Sequence, residues 1–341
     1  MKRTEPFPTL SVIIPTYQRA ADVQRLLGSL EAQMQNVDVF VVDDCSPDPG
    51  IFDGVKDRFP AVHFVHLQRN EGPGGSRNRG AREATADVLL FLDSDTELVP
   101  GSIETVREFF AAHPEAQVCS GGISPEPING GFFPRYKALL ETSWAPDHDS
   151  EVTFVSGRCF AVRRSAFLQV GGFNTAYAGA DVEDFDLGYR LKRQFGAIRF
   201  LKDLKVKHRY PSMWQQARLY YRRVILWMAL RSTADKFDNV GTTRREGLIS
   251  VLSALLPIVL VATVSTGFIM PGLLFLGLTV IVNRKFLRRC LREQGFIFAV
   301  RALFCHSYLA IWICAGVAVA LCAKRAPRQQ AVRKAAEAGH A

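Results

Sequence analysis

From Leu248 to Val282 the chain carries no charged residue. A bilayer's hydrocarbon layer is ~30 Å thick and is crossed by ~20 apolar residues, so this run is too long to read as a helix of a water-soluble core. Thr266-Gly267 and Pro271-Gly272 interrupt it, which reads as a helical hairpin with a short second arm. After a basic stretch holding Arg284, Lys285, Arg288, Arg289 and Arg292, the segment from Ala302 to Ala323 is again apolar except for His306 and has the length of a third span.

The half upstream has a different texture. Leu10 to Thr16 is a β-branched run broken by Pro15, and it leads into a stretch with Val23, Leu26, Leu27 and Leu30 at helical spacing. Val37 to Asp43, Val62 to Leu67 and Ala86 to Leu92 are further short apolar runs of the kind that form buried parallel strands. Strands alternating with helices predict an α/β fold with a mostly parallel sheet and flanking helices.

Two of those runs end in acids: Asp43-Asp44, and Asp93-Ser94-Asp95. Strand exits lie at the carboxyl edge of the sheet, where open α/β folds bind ligands. Two acids one residue apart call for a cation, and a hard divalent ion that also grips phosphates supplies one. Asp-Ser-Asp is equally good chemistry for a solvated turn. The glycine-dense segment Asn70 to Gly80 opens a helix, so its backbone N–H groups with Arg77 and Arg79 could meet an anion. It is not a dinucleotide fingerprint, because Arg77 occupies the third glycine position, and it lacks the lysine of a phosphate-cradling loop. A second acidic cluster, Glu183-Asp184-Phe185-Asp186, reads either as chemistry or as the charged first turn of a helix.

In this order and spacing, Ser11 to Tyr17, Val41 to Ser46, Gly72 to Gly80, Asp93-Ser94-Asp95, Gly171 to Asn174 and Glu183 to Arg190 resemble a family-2 glycosyltransferase of the GT-A fold, over roughly residues 8–210. The resemblance implies inverting sugar transfer from a nucleoside-diphosphate sugar, with a UDP-sugar the first expectation. It implies Asp95 as a ligand of Mn2+ or Mg2+, and Asp93 nearer the donor's ribose or acting through water. Pro15 and Tyr17 are expected at the donor, with Tyr17 stacked on the base and Asp44 accepting a hydrogen bond from it. Arg77 is expected at the donor phosphates or base. Asp184 is the expected general base, with Glu183 the alternative, while Asp186 pairs with Arg190 at i+4 or caps the helix. His208 either completes the metal shell or faces solvent among its basic neighbours. Gly157, Gln215 and Arg218 are expected on the acceptor side. The chain departs from the family where Gly-Gly-Phe-Asp-Glu becomes Gly171-Gly172-Phe173-Asn174-Thr175, and where the Thr175 to Val182 segment is long.

The implied organisation is a catalytic domain at 1–211, an interfacial helix and linker at 212–245, membrane helices at 246–323 and a basic, disordered tail at 324–341. Ser212 to Arg231 has Trp214, Ala217, Tyr221, Val224 and Met228 at helical spacing beside Arg218, Arg222 and Arg223, which reads as interfacial or as packed on the core. Gln215 and Arg218 partly match the Q-x-x-R-W of processive synthases, but Leu219 stands in place of the tryptophan. Lys2-Arg3 followed by Glu5 and Pro6 predicts no leader. The expected location is the cytoplasmic (inner) membrane, multi-pass, with the catalytic domain inside and a lipid-linked saccharide or glycolipid as acceptor. A hairpin then returns Arg284–Arg292 to the inside, whereas a third span exports Lys324, Arg325, Arg328, Arg333 and Lys334 against the positive-inside rule. Either the last segment is re-entrant or the first is not a full hairpin.

The net charge of +9 is concentrated beside the apolar segments, so membrane lipid rather than nucleic acid is the expected partner. Seven cysteines without metal or framework spacing predict free thiols. A processive polysaccharide synthase, a polyprenyl-phosphate sugar transferase and an inactive nucleotide-sugar-binding scaffold are the other readings.

Overall fold

All seven residues of β1 (Leu10–Thr16) are buried, as a strand covered by helices on both faces requires. In the computed structural model, which describes residues 7–48, 50–177, 179, 181–231 and 243–323, the chain then alternates. It runs through α1 (Ala20–Leu30), β2 (Val37–Asp43), α2 (Asp53–Arg58), β3 (His63–His66), α3 (Gly72–Glu83) and β4 (Val88–Leu92). The helical spacing read in α1 is realised: Val23, Leu26, Leu27 and Leu30 are its buried residues. β5 (Thr96–Leu98), α4 (Ser102–Ala112), β6 (Val118–Ile123) and α5 (Phe132–Trp144) follow. After them come β7 (Ser150–Val152), β8 (Cys159–Arg163), α6 (Arg164–Gln169), α7 (Glu183–Phe195) and β9 (Ile198–His208).

The sheet order is β3-β2-β1-β4-β8-β6-β9-β5, with β7 beside β9. β3, β2, β1 and β4 are parallel; β8 pairs antiparallel with both β4 and β6, so the sheet is mixed beyond β4. The strand order reverses between β1 and β4, and that switch point is where such sheets bind ligands. Helix α3 packs close to the sheet because Gly80 has no side chain: a Cβ there would lie 2.6 Å from Ile13 Cγ2.

The chain divides into two compact units, residues 1–128 with 146–209, and 129–145 with 210–341. The second unit therefore takes α5 from within the stretch read as the catalytic domain. Its other helices are α8 (Met213–Arg231), α9 (Arg244–Thr266), α10 (Ile269–Val282), α11 (Arg284–Gln294) and α12 (Phe296–Ala323). They surround a core that includes Tyr136, Leu139, Ala217, Phe286, Cys290, Ala302 and Leu309. Helix α8 lies along α12, where Gly316 is needed because a Cβ would sit 2.7 Å from the Tyr221 carbonyl oxygen.

Among the described residues, α9 and α12 are long and apolar enough to cross a membrane, and α10 with α11 forms a pair bent by 79°. Helices α9 and α10 are antiparallel: Gly272 faces Thr263, and Asn283 Nδ2 donates to Ser253 Oγ at 3.3 Å. The short second arm is real, since the 14 residues of α10 rise only about 21 Å. Two features of this region add to the sequence reading. The basic stretch is a helix, α11, which buries Phe286 and Cys290. The helix that holds the third apolar segment begins before it, at Phe296, and Arg301 in its first turns lies 4.3 Å from the centre of the Phe132 ring. The tail at 324–341 and linker residues 232–242 lie outside the described residues.

Candidate functional site

Three strand exits converge at the carboxyl edge of the first unit. Register pairs Thr16 of β1 with Asp43 of β2, and Ile13 with Phe91 of β4, so Tyr17, Asp44 and Asp93 emerge from neighbouring strands. Pro15 is within β1, opposite Val42, and the Tyr17 ring is 42% exposed, available to a planar ligand. Asp44 is buried and accepts the Glu71 N–H at 2.7 Å, which fixes the entry to α3. Burial pushes its carboxyl above the ordinary range, against the hydrogen bond from Glu71. Asp43 is committed elsewhere, accepting from Ser46 Oγ at 2.5 Å and facing His66 Nδ1 at 2.8 Å.

Asp95 and His208 are 113 positions apart in sequence and meet through the β5–β9 ladder, where Thr96 pairs with His208. His208 Nε2 is 3.5 Å from Asp95 Oδ1, and Arg19 Nη1 is 2.5 Å from Oδ2. Burial alone would raise the Asp95 carboxyl, but hydrogen bonding and charge from His208 and Arg19 overcome it and hold the group well below the usual range. Arg19 was not anticipated; its place two residues beyond Tyr17 on the same edge was the available signal. Among the described residues no three His, Cys, Asp or Glu side chains form a metal cage. Asp95 and His208 offer one carboxylate and one imidazole, a donor set of the kind that Mg2+ or Mn2+ supplements with substrate phosphates.

Arg77 ties the two acidic motifs together. It is 2% exposed, its Nη2 lies 2.5 Å from Asp93 Oδ1, and its Nη1 lies 3.3 Å from Glu183 Oε1. Burial disfavours its charge, yet Asp93 and Glu183 more than compensate and keep the guanidinium protonated. The Phe173 ring lies 5.0 Å from its Cζ. Asn78 clamps that phenylalanine, accepting from Phe173 N and donating to Phe173 O, both at 2.8 Å. Gly172, at φ +66°, leaves room for this clamp: a Cβ there would be 2.4 Å from Asn78 Oδ1. Arg77 was expected at donor phosphate or base; its guanidinium is engaged by protein carboxylates. Arg79 is half-exposed and pairs with Glu83 at 2.8 Å.

The second acidic cluster occupies the first turn of α7, where carboxylates also suit the helix dipole. Its members have different surroundings. Glu183 is buried, with Oε1 toward Arg77 and Oε2 accepting from Asp181 N at 2.7 Å. Asp184 is partly exposed and accepts from Gly157 N at 3.1 Å. The Gly157 carbonyl lies 3.5 Å from Arg77 Nη2, so this glycine sits between the buried cation and Asp184. Asp186 pairs with Arg190 at 2.7 Å, as its i+4 spacing implied. Gly188 lets α7 approach the chain at Phe154 and Val155; a Cβ there would lie 2.7 Å from Phe154 Cα. Gln215 and Arg218 belong to the second unit, where Gln215 Oε1 accepts from Ser212 N at 3.0 Å and Arg218 lies 4.9 Å above Trp214.

Residues 11–171 match the family model "Glycosyl transferase family 2". An uncharacterized glycosyltransferase of Haemophilus influenzae is 31% identical over 187 residues, covering 54% of this chain and 62% of the relative. A Campylobacter jejuni protein described as GalNAc(5)-diNAcBac-PP-undecaprenol beta-1,3-glucosyltransferase is 27% identical over 176 residues, 50% of this chain and 57% of its own. The chain thus spans a little over half the length of these relatives. A mannosyltransferase from Pyrobaculum calidifontis, solved with GDP-Man and Mn2+, shares the fold with a TM-score of 0.55 at 14% identity, covering 93% of this chain and 91% of that one. The sheet, its flanking helices and the matched sequence agree: residues 11–171 carry a glycosyl transferase family 2 domain, on a GT-A fold.

Proposed function

We propose that this chain is a membrane-anchored, inverting glycosyltransferase that moves a sugar from a nucleoside-diphosphate donor to a lipid-linked saccharide or glycolipid at the cytoplasmic face. The observation that carries the reading is the buried Arg77 bracket, which holds Asp93 of the donor-side motif and Glu183 of the acceptor-side motif on one guanidinium. A transferase needs those two groups held at a fixed separation, because donor and acceptor must meet in one geometry.

Each residue then has a task. Tyr17 offers an open aromatic face to the nucleotide base, and Asp44 offers an acceptor beside it. Asp95 and His208, with Asp93, would hold Mn2+ or Mg2+, which when bound supplies positive charge against the departing diphosphate. Asp184 takes the acceptor hydroxyl's proton as the new bond forms. It suits that role better than Glu183 because it is partly exposed and accepts from the backbone at Gly157 and Phe185, whereas Glu183 is buried and paired with Arg77. We read 1–211 as the catalytic domain, 212–245 as the interfacial helix and linker, and 246–323 as the membrane region. The Campylobacter relative's polyprenyl-linked acceptor and the apolar α9 and α12 support the lipid-linked acceptor and the membrane location.

The test is to incubate membranes containing the chain with a panel of nucleotide sugars and to analyse lipid extracts by mass spectrometry. A lipid-linked product one sugar heavier, formed with Mn2+ or Mg2+ and absent in EDTA, is expected. No product from any donor, or undiminished product in EDTA, contradicts the reading.

A further inference from the structure

The helical unit has a small hollow of about 20 Å³, open on one side, between α5, the start of α9, the α10–α11 corner and α12. Its inner part has room for about one water-sized group, so anything larger sits in the open mouth with only its tip inside. Its lining is mixed: Leu140, Ile249 and Phe286 are apolar, and Arg245, Glu246, Asn283, Lys285 and His306 are polar.

Those polar groups point to an anion. His306 lines the hollow and is nine-tenths buried, with Nδ1 3.0 Å from the Tyr136 hydroxyl. Its Nε2 is buried without a hydrogen-bond partner among the described residues. When the Tyr136 hydroxyl donates to Nδ1, Nε2 carries the proton and is a buried donor lacking an acceptor, an expensive arrangement unless a ligand supplies one. Lys285, in the first turn of α11, has no ion pair or hydrogen bond among the described residues. The amino end of that 11-residue helix adds its own positive potential at the same corner. Arg245 donates to the Val282 carbonyl at 3.3 Å and lies 3.5 Å from Glu246 Oε1. Glu246, the one carboxylate of the lining, is further engaged by Trp144 Nε1 at 3.1 Å. Two cations, a helix amino end and an unpartnered donor thus face one engaged acid.

We propose that this hollow binds the phosphate head of a membrane lipid, with Arg245 and Lys285 on its oxygens and His306 Nε2 donating to one of them. A lipid rather than a free anion follows from the helix that lines the hollow: beyond Arg245, Glu246 and Ile249, α9 carries the exposed apolar side chains Leu248, Val251 and Leu255, which an acyl or isoprenoid chain would cover. The inference rests on the membrane location proposed above.

The experiment uses the full chain in detergent and native mass spectrometry with four probes: polyprenyl phosphate, polyprenol, phosphatidylglycerol and inorganic phosphate. Polyprenyl phosphate should be retained and polyprenol not. Lys285→Gln and Arg245→Gln, both at exposed side chains, should each weaken retention by tenfold or more, and His306→Gln should weaken it too. If excess phosphatidylglycerol displaces the polyprenyl phosphate, the head belongs to a bulk phospholipid; if not, to an isoprenoid carrier. Either outcome keeps the phosphate–lipid site. Equal retention of polyprenol, unchanged retention in Lys285→Gln, or displacement by equimolar inorganic phosphate overturns it. Retention needs no donor, so an Asp184→Asn chain that transfers nothing should still hold the lipid phosphate. A chain that transfers normally but shows no preference for the phosphate removes this site alone.

Discussion

Arg77 Nη2 lies 2.5 Å from Asp93 Oδ1, with the guanidinium almost wholly buried and the carboxylate at the edge of the sheet. The Asp93-Ser94-Asp95 motif is therefore held from within the fold by a cation that solvent does not reach. Because the same guanidinium also meets Glu183, removing it leaves two carboxylates without their shared counter-charge.

Arg77→Met should accordingly lower the stability of the first unit by about 3–5 kcal/mol, the cost of breaking a buried ion pair from one side. Arg77→Lys should cost less but should not restore activity, because a point charge cannot reproduce the fork to both acids. Chemical denaturation and transfer rates measured on both variants check this. A melting temperature unchanged in Arg77→Met would show that the bracket contributes nothing.

Asp44 carries a pH signature. Its carboxyl is raised by burial above the ordinary 3.8, so folding favours the protonated form. That contribution is fully present below about 3.8, the unfolded value, and is lost as pH rises through the raised folded value. At neutral pH the ionised group therefore opposes folding. Asp44→Asn keeps an acceptor for Glu71 N and removes the charge. Its melting temperature should exceed wild type at pH 7–8, with the gap closing toward pH 4, while nucleotide affinity falls. A gap that widens on acidification contradicts this account.

The Asp95–His208 pair predicts a different pattern. Asp95→Ala should reduce metal-supported transfer by about 10³-fold, equivalent to several kcal/mol of charge stabilisation. Because Arg19 is half-exposed, losing its pair with Asp95 should change stability by less than about 1 kcal/mol. His208→Ala should raise the Mn2+ concentration needed for half-maximal rate. Metal titrations of transfer beside thermal melts test both; a large melting shift with normal metal response would make the pair structural.

Gly188→Ala places a methyl group against the backbone at Phe154 and Val155, with contacts of 2.7 and 2.8 Å. Backbone yields less readily than a side-chain tip, so α7 must shift, at a cost of about 1–3 kcal/mol. Asp184 is on that helix, so turnover should fall while nucleotide binding, which uses other elements, is kept. Calorimetric nucleotide binding and transfer rates on this variant supply the check.

The parts of this fold that can be read from sequence are those set by local pattern. β1, β2 and β4 show as short, mostly apolar runs because strands buried on both faces have little polar side to display. Their acidic exits show because a charge ends such a run. Contacts formed by topology are hidden. Nothing local in Arg77 says that it is buried, since its partners Asp93 and Glu183 come from distant motifs. His208 reaches Asp95 only through the β5–β9 pairing, and family resemblance rather than spacing marked it. Helix α5 reads like any core helix, and its place in the second unit depends on Tyr136 and Leu139 packing with Phe286 and Ala302. The helix in Arg284–Gln294 was obscured because its apolar residues are few among many charges.

The central claim is that Asp184, and not Glu183, takes the acceptor's proton. Asp184→Asn removes basicity while nearly keeping shape and the contact to Gly157 N. Donor binding by calorimetry should stay close to wild type while turnover falls by about 10²–10⁴, the usual worth of a general base. Glu183→Gln should act mainly through stability, because it weakens the partner of Arg77. Near-normal turnover in Asp184→Asn, or a loss of donor binding that accounts for its slower rate, would contradict the account.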